Sequence, residues 1–136
     1  ADPLAALHEW HRVLRPGGSF FFSITHPCFM TPGFGWTALQ EDPSIRLKVG
    51  DYFSKKHWVE NWRFSHLPNP EDVPESVVPR FGKTLSDYIN PLLKTGFRLM
   101  EISEPRPSAE LCRQYPFLLK WRKTAAIFLH IHCRKE

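Results

Sequence analysis

The sequence predicts an α/β domain built on three core strands. Three observations carry that expectation. Apolar strand patterns occupy 20–25, 97–103 and 124–133. Helix-spaced stretches stand directly before the first two and end on glycine. One long segment, 28–83, interrupts this alternation with prolines and aromatic residues. The 136 residues suffice for one domain, and an apolar content of 42% can support a core.

The elements follow in order. Asp2 is a candidate N-cap and Pro3 suits the first helical position, where its missing N–H costs nothing. Leu4, Leu7, His11 and Leu14 then share a face at helical spacing. Pro16-Gly17-Gly18 stops this helix and turns the chain. Phe20 to Thr25 is apolar toward both sides at first, as a central strand covered by helices would be, and Pro27 ends its ladder. The segment 28–83 is too apolar for a disordered linker and too long for an ordinary connection, so it reads as a lid or binding loop. Within it, Val49 to Phe64 is a candidate hairpin, with Val59, Asn61 and Arg63 alternating against Trp58, Trp62 and Phe64.

Thr84-Leu85-Ser86-Asp87 reads as a capping box opening a second helix, whose buried face is Leu85, Tyr88, Ile89, Leu92 and Leu93. Pro91 is expected to bend that helix and Gly96 to close it. Phe97 to Ser103 is a strand, closed by Pro105 and Pro107. Ser108 caps a short helix through Gln114, and Phe117 to Trp121 adds a further turn after Pro116. In the last strand Leu129, Ile131 and Cys133 face one way, while Phe128, His130 and His132 face the other. Short parallel crossovers would cover such a sheet on both faces, and this chain has few helices to do so.

Composition narrows the partners. The net charge is +4, but Lys and Arg are interleaved with Asp and Glu, so a solvated surface is expected rather than nucleic-acid binding. Cys28, Cys112 and Cys133 are an odd number and far apart, which fits a reducing cytoplasm better than a disulfide framework. No apolar run is long enough to span a membrane, and no secretion leader is visible. A start at Ala1-Asp2-Pro3 without methionine points to a processed or partial chain.

Several pieces resemble one family in order. His8-Glu9-Trp10-His11-Arg12-Val13-Leu14-Arg15-Pro16-Gly17-Gly18 is similar to the helix and turn before the fifth strand of class I S-adenosylmethionine-dependent methyltransferases. Phe20-Phe21-Phe22-Ser23-Ile24-Thr25-His26-Pro27 resembles that strand and its exit. Thr84 to Phe97 resembles the helix before the sixth strand, and Glu104-Pro105-Arg106-Pro107 follows as in many small-molecule members. The resemblance covers nearly the whole chain, loosely between 28 and 79.

The resemblance implies the C-terminal part of a Rossmann-like fold. The family strands 5-7-6 would form a three-stranded half-sheet, the last strand antiparallel, with helices and the aromatic insertion. Residues 1–136 would be a single partial domain, with 28–83 a substrate-side insertion. The parent would transfer a methyl group from S-adenosylmethionine to a small molecule. The glycine-rich loop and the acidic residue that hold that donor belong to strands absent here, so none is expected bound to this chain alone. Gly33-Phe34-Gly35 is no substitute, because no strand precedes it and no helix follows. The strand 20–25 would have one unpaired edge, an invitation to a second copy (a homodimer or strand exchange) or to a separate N-terminal half. Rivals to a methyltransferase fragment acting on a small molecule are a non-catalytic interaction module that pairs through this edge and an RNA-methylating fragment.

His26 is the candidate catalytic residue. It stands at the carboxyl end of a strand, where imidazole is suited to proton transfer; the alternative is that it only caps the strand before Pro27. Trp36, Trp58, Trp62 and Phe81 are candidates to line an apolar acceptor pocket, and Arg80 to pair with an acidic substrate group; the alternative is a small core beneath the insertion. Tyr52 is a further candidate hydrogen-bond donor. His26-Pro27-Cys28 and His130-Ile131-His132-Cys133 contain metal donors, but no paired-cysteine spacing, and no metal is expected.

Overall fold

A computed structural model describes residues 3–38, 45–63 and 69–136. The expected cap at Asp2 and the hairpin residue Phe64 lie outside the described residues. In chain order the elements are α1 (Pro3–Val13), β1 (Ser19–Thr25), β2 (Gly35–Ala38), β3 (Ile45–Lys48), β4 (His57–Trp62), β5 (Ser76–Phe81), α2 (Leu85–Lys94), β6 (Phe97–Ser103), α3 (Ala109–Gln114), α4 (Leu118–Thr124) and β7 (Phe128–Lys135).

The main sheet has the order β1-β7-β6. Both pairs are antiparallel, so the C-terminal strand is central and its neighbours run parallel to each other. Phe22 and Ile102 both register with Ile131, and a bulge between Leu99 and Glu101 breaks the β6 ladder. One face holds the core. Leu129, Ile131 and Cys133 are buried there with Leu7 from α1 and Leu92 from α2, and Phe20, Phe22 and Ile24 pack against them. Trp10 extends the cluster, 4.5 Å from Phe20. His11 closes it with an edge-to-face contact on Phe97 at 5.2 Å.

The expectation of a sheet covered on both faces is corrected. Among the described residues only the α1–α2 face is covered. Phe21, on the opposite face, is 62% exposed and stands against His130 and His132. The three consecutive phenylalanines look doubly buried in sequence because a strand turns successive side chains to opposite faces.

The insertion folds as two ribbons, and the hairpin expected within 49–64 is corrected. β2 pairs with β3, and β4 pairs with β5, all antiparallel. Val59 faces Pro79 in the second ribbon. Proline is tolerated in a two-stranded ribbon because each strand keeps one free edge, yet in sequence it hides β5. The last strand also starts later than the expected Thr124: α4 runs through Thr124, and β7 begins at Phe128.

The second helix opens as its sequence foretells. Thr84 Oγ1 accepts from Asp87 N, and the Asp87 carboxylate accepts from Thr84 N at 2.7 Å. The helix continues through Pro91 to Lys94, and Gly96 turns the chain at φ +92°, a conformation that suits glycine. Lys55 of the insertion pairs with the same Asp87 carboxylate. That hydrogen bond, followed by the one from Thr84 N, holds the Asp87 pKa at about 2. The folded value lies below the unfolded one, so the stabilisation is complete above about pH 4 and is lost as pH falls toward about 2. The group is partly exposed, so solvent screening limits its worth to about 1 kcal/mol. Asp87→Ala is expected to lose roughly that amount at neutral pH, and much less near pH 2, in urea denaturation.

Candidate functional site

β1 ends at Thr25 and delivers His26 into a tight turn. His26 N donates to Ile127 O at 2.8 Å, and His26 O accepts from Met30 N at 2.8 Å. The ring is 4% exposed and packs on Phe29. Its Nδ1 accepts from Cys28 N at 3.2 Å, which leaves the ring proton on Nε2 to donate to Glu104 Oε1 at 2.7 Å. Both ring nitrogens are therefore engaged, and the side chain ties the exit of β1 to the segment leaving β6. Proton transfer at this ring requires release of one partner.

Beside this turn, β1, the insertion and α2 enclose a cavity of about 210 Å³. Thr31, Tyr52, Trp58, Arg80, Lys83 and Tyr88 contribute to its wall. It lies just past the carboxyl end of β1, where open α/β sheets hold their ligands. The wall is assembled by local devices. Tyr52 Oη accepts from Leu85 N at 2.9 Å, using an N–H that the first helical turn leaves unpaired. Tyr52 is expected as a donor; the bond the structure gives its hydroxyl is one it accepts. Gly82 N donates to Lys56 O at 3.0 Å, which brings the end of β5 against the 54–56 backbone.

Arg80 is buried, at 8% exposure. Its Nε lies 3.6 Å from Glu60 Oε1, and its guanidinium sits 5.8 Å from the Trp58 ring centre. Glu60 is held from elsewhere: Trp58 Nε1 donates to Oε1 at 3.1 Å and Trp62 Nε1 to Oε2 at 2.9 Å. Burial pushes the Tyr88 phenol above its ordinary pKa, while the Arg80 charge pulls the other way.

Of the residues expected to bind substrate, Trp58, Arg80 and Phe81 line this one cavity. Trp62 does not line it; its indole N–H is bonded to Glu60. Trp36 lies elsewhere, edge-to-face on Trp121 at 4.7 Å with the Lys120 ammonium 4.9 Å from its ring. The residues missed as site candidates are Glu60, Lys83 and Tyr88. Glu60 has a signal in sequence, because period-two alternation sets it beside Trp58 and Trp62. Tyr88 reads only as part of a buried helix face, and nothing local marks Lys83.

The glycine-rich turn that the resemblance associates with the sulfonium donor is not seen among the described residues. No glycine-rich turn leads from a strand of the main sheet into a helix. Gly33 of Gly33-Phe34-Gly35 lies against the backbone of Gly50. Among the described residues, no three His, Cys, Asp or Glu side chains gather closely enough to hold a metal ion, and no helix is long and apolar enough to cross a membrane.

No family model and no curated protein matches the sequence. Solved structures do match. An S-adenosylmethionine-dependent methyltransferase from Mesorhizobium loti superposes with a TM-score of 0.72 at 23% identity, over 98% of this chain and 56% of its own. A putative S-adenosylmethionine-dependent methyltransferase from Listeria monocytogenes gives 0.71 at 23% identity, over 99% of this chain and 55% of its own. The chain thus has the fold of part of these proteins and spans little more than half their length.

Proposed function

We propose that this chain is the acceptor-side portion of an S-adenosylmethionine-dependent methyltransferase acting on a small molecule. The observation that carries the reading is the cavity past the end of β1, closed by the insertion, on a fold shared with such enzymes over nearly the whole chain. This chain's part is to confine and align the acceptor, which is where proximity supplies rate. His26 serves by fixing the β1 exit beside the cavity; as a base it would first have to leave Glu104 or the Cys28 amide.

The donor-binding portion is the natural occupant of the open side of β1. That strand pairs only with β7 among the described residues, and Phe21 lies bare next to its free edge. Unpaired N–H and C=O groups along an apolar edge favour addition of further strands. Calorimetric titration with S-adenosylmethionine tests the reading. No binding is expected for the 136-residue chain, and saturable binding is expected for a protein carrying a donor-binding portion ahead of it. Failure of that longer protein to bind would leave the non-catalytic interaction module in its place.

A further inference from the structure

Building on the acceptor-side reading, we propose that the cavity beside β1 takes a small carboxylate, held by the Arg80 guanidinium with Lys83 alongside. The charge in the wall is one-sided. Arg80 and Lys83 both line the cavity, and no Asp or Glu does so among the described residues. Glu60, the acid paired with Arg80, stays at ion-pair distance from its Nε, and each of its oxygens already accepts an indole N–H. Asp87, next to Tyr88, is paired with Lys55, so one positive charge is left over beside the cavity.

Arg80 also has donors to spare. It makes no hydrogen bond among the described residues, yet no buried side-chain nitrogen lacks a partner. Its remaining N–H groups therefore open onto accessible space, and the space it lines is this cavity. A guanidinium that is nine-tenths buried with one long ion pair is costly to keep. A planar carboxylate meets its fork with two parallel hydrogen bonds and balances the surplus charge. Tyr52 and Tyr88 add hydroxyls on the same wall. The cavity's 210 Å³ lies below the about 300 Å³ at which sites for drug-sized ligands begin, so the occupant is small.

The test is calorimetric titration of the chain, at fixed ionic strength, with benzoate, its neutral isostere benzamide, and inorganic phosphate. Benzoate is expected to bind saturably and at least tenfold more tightly than benzamide. Arg80→Lys keeps the charge but loses the fork, and should weaken benzoate at least tenfold. Lys83→Met is expected to weaken it at least threefold. Lys83 is only half-buried, so this variant keeps the test decisive if Arg80→Lys fails to fold. The proposal is overturned if benzoate does not bind, if benzamide binds equally well, or if both variants leave benzoate unaffected. Phosphate binding tenfold tighter than benzoate would also overturn it, in favour of a phosphoryl site. No methyl donor enters this experiment, so its failure and the failure of the donor titration are read separately.

Discussion

Ile131→Ala is expected to lower the free energy of unfolding by about 2–5 kcal/mol, the range for shortening a large buried aliphatic side chain. Ile131 is fully buried and is opposite Phe22 on one side and Ile102 on the other. The central strand can relax little toward the gap, because both its edges are hydrogen-bonded and Leu92 of α2 lies in the same cluster. Stability of this order approaches the whole margin of a small domain. Urea denaturation would show the midpoint falling with little change in slope. A loss below about 1 kcal/mol would mean that the face shared by β7, α1 and α2 is not the core.

Gly82→Ala is expected to cost about 1–3 kcal/mol as an overpacking change, and to open the cavity as well. A β-carbon at Gly82 would fall 2.0 Å from Ser54 O and 3.1 Å from Lys56 O. Both are backbone atoms, so no side chain can swing aside. The end of β5 must then move off the 54–56 segment, taking Arg80 and Lys83 with it. Two readouts check this: the unfolding midpoint, and benzoate affinity, which should fall at least fivefold. Unchanged benzoate binding in a folded variant would show that the cavity wall does not depend on this close approach. Gly35 offers a control, since a β-carbon there meets nothing within 4 Å.

Much of the fold was legible because the signals were local. The Thr84–Asp87 capping box lies within one helical turn, and the stop at Gly96 within a few residues. Alternation at Leu129, Ile131 and Cys133 is a property of one strand, and these residues are buried as it requires. The order β1-β7-β6 was legible only through likeness to a known family, since nothing local says which strand lies between two others. The insertion was read as aromatic and substrate-side but not as two ribbons. Pro79 hid β5, and the partner of β4 is not a property of β4's own residues.

The site divides along the same line. Residue types were visible in sequence: an imidazole before a proline, a cluster of indoles, an arginine among aromatics. Their assignment was not. Trp36 and Trp58 look alike in sequence, yet one packs on α4 and the other lines the cavity with Arg80. His26 carries a familiar position but has both nitrogens taken, one by a backbone amide two residues away and one by a carboxylate 78 residues on.

By itself, the sequence determined where β1, α2 and β6 begin and which face of β7 is apolar. Those properties follow from side-chain period, capping and backbone restriction within a few residues. Tertiary structure alone decided that Arg80, Lys83, Tyr52 and Tyr88 share one cavity, and that Glu60 is divided between Arg80 and the indoles. The reason is that charge balance and cavity shape arise only where separate segments meet, and no local pattern encodes that meeting.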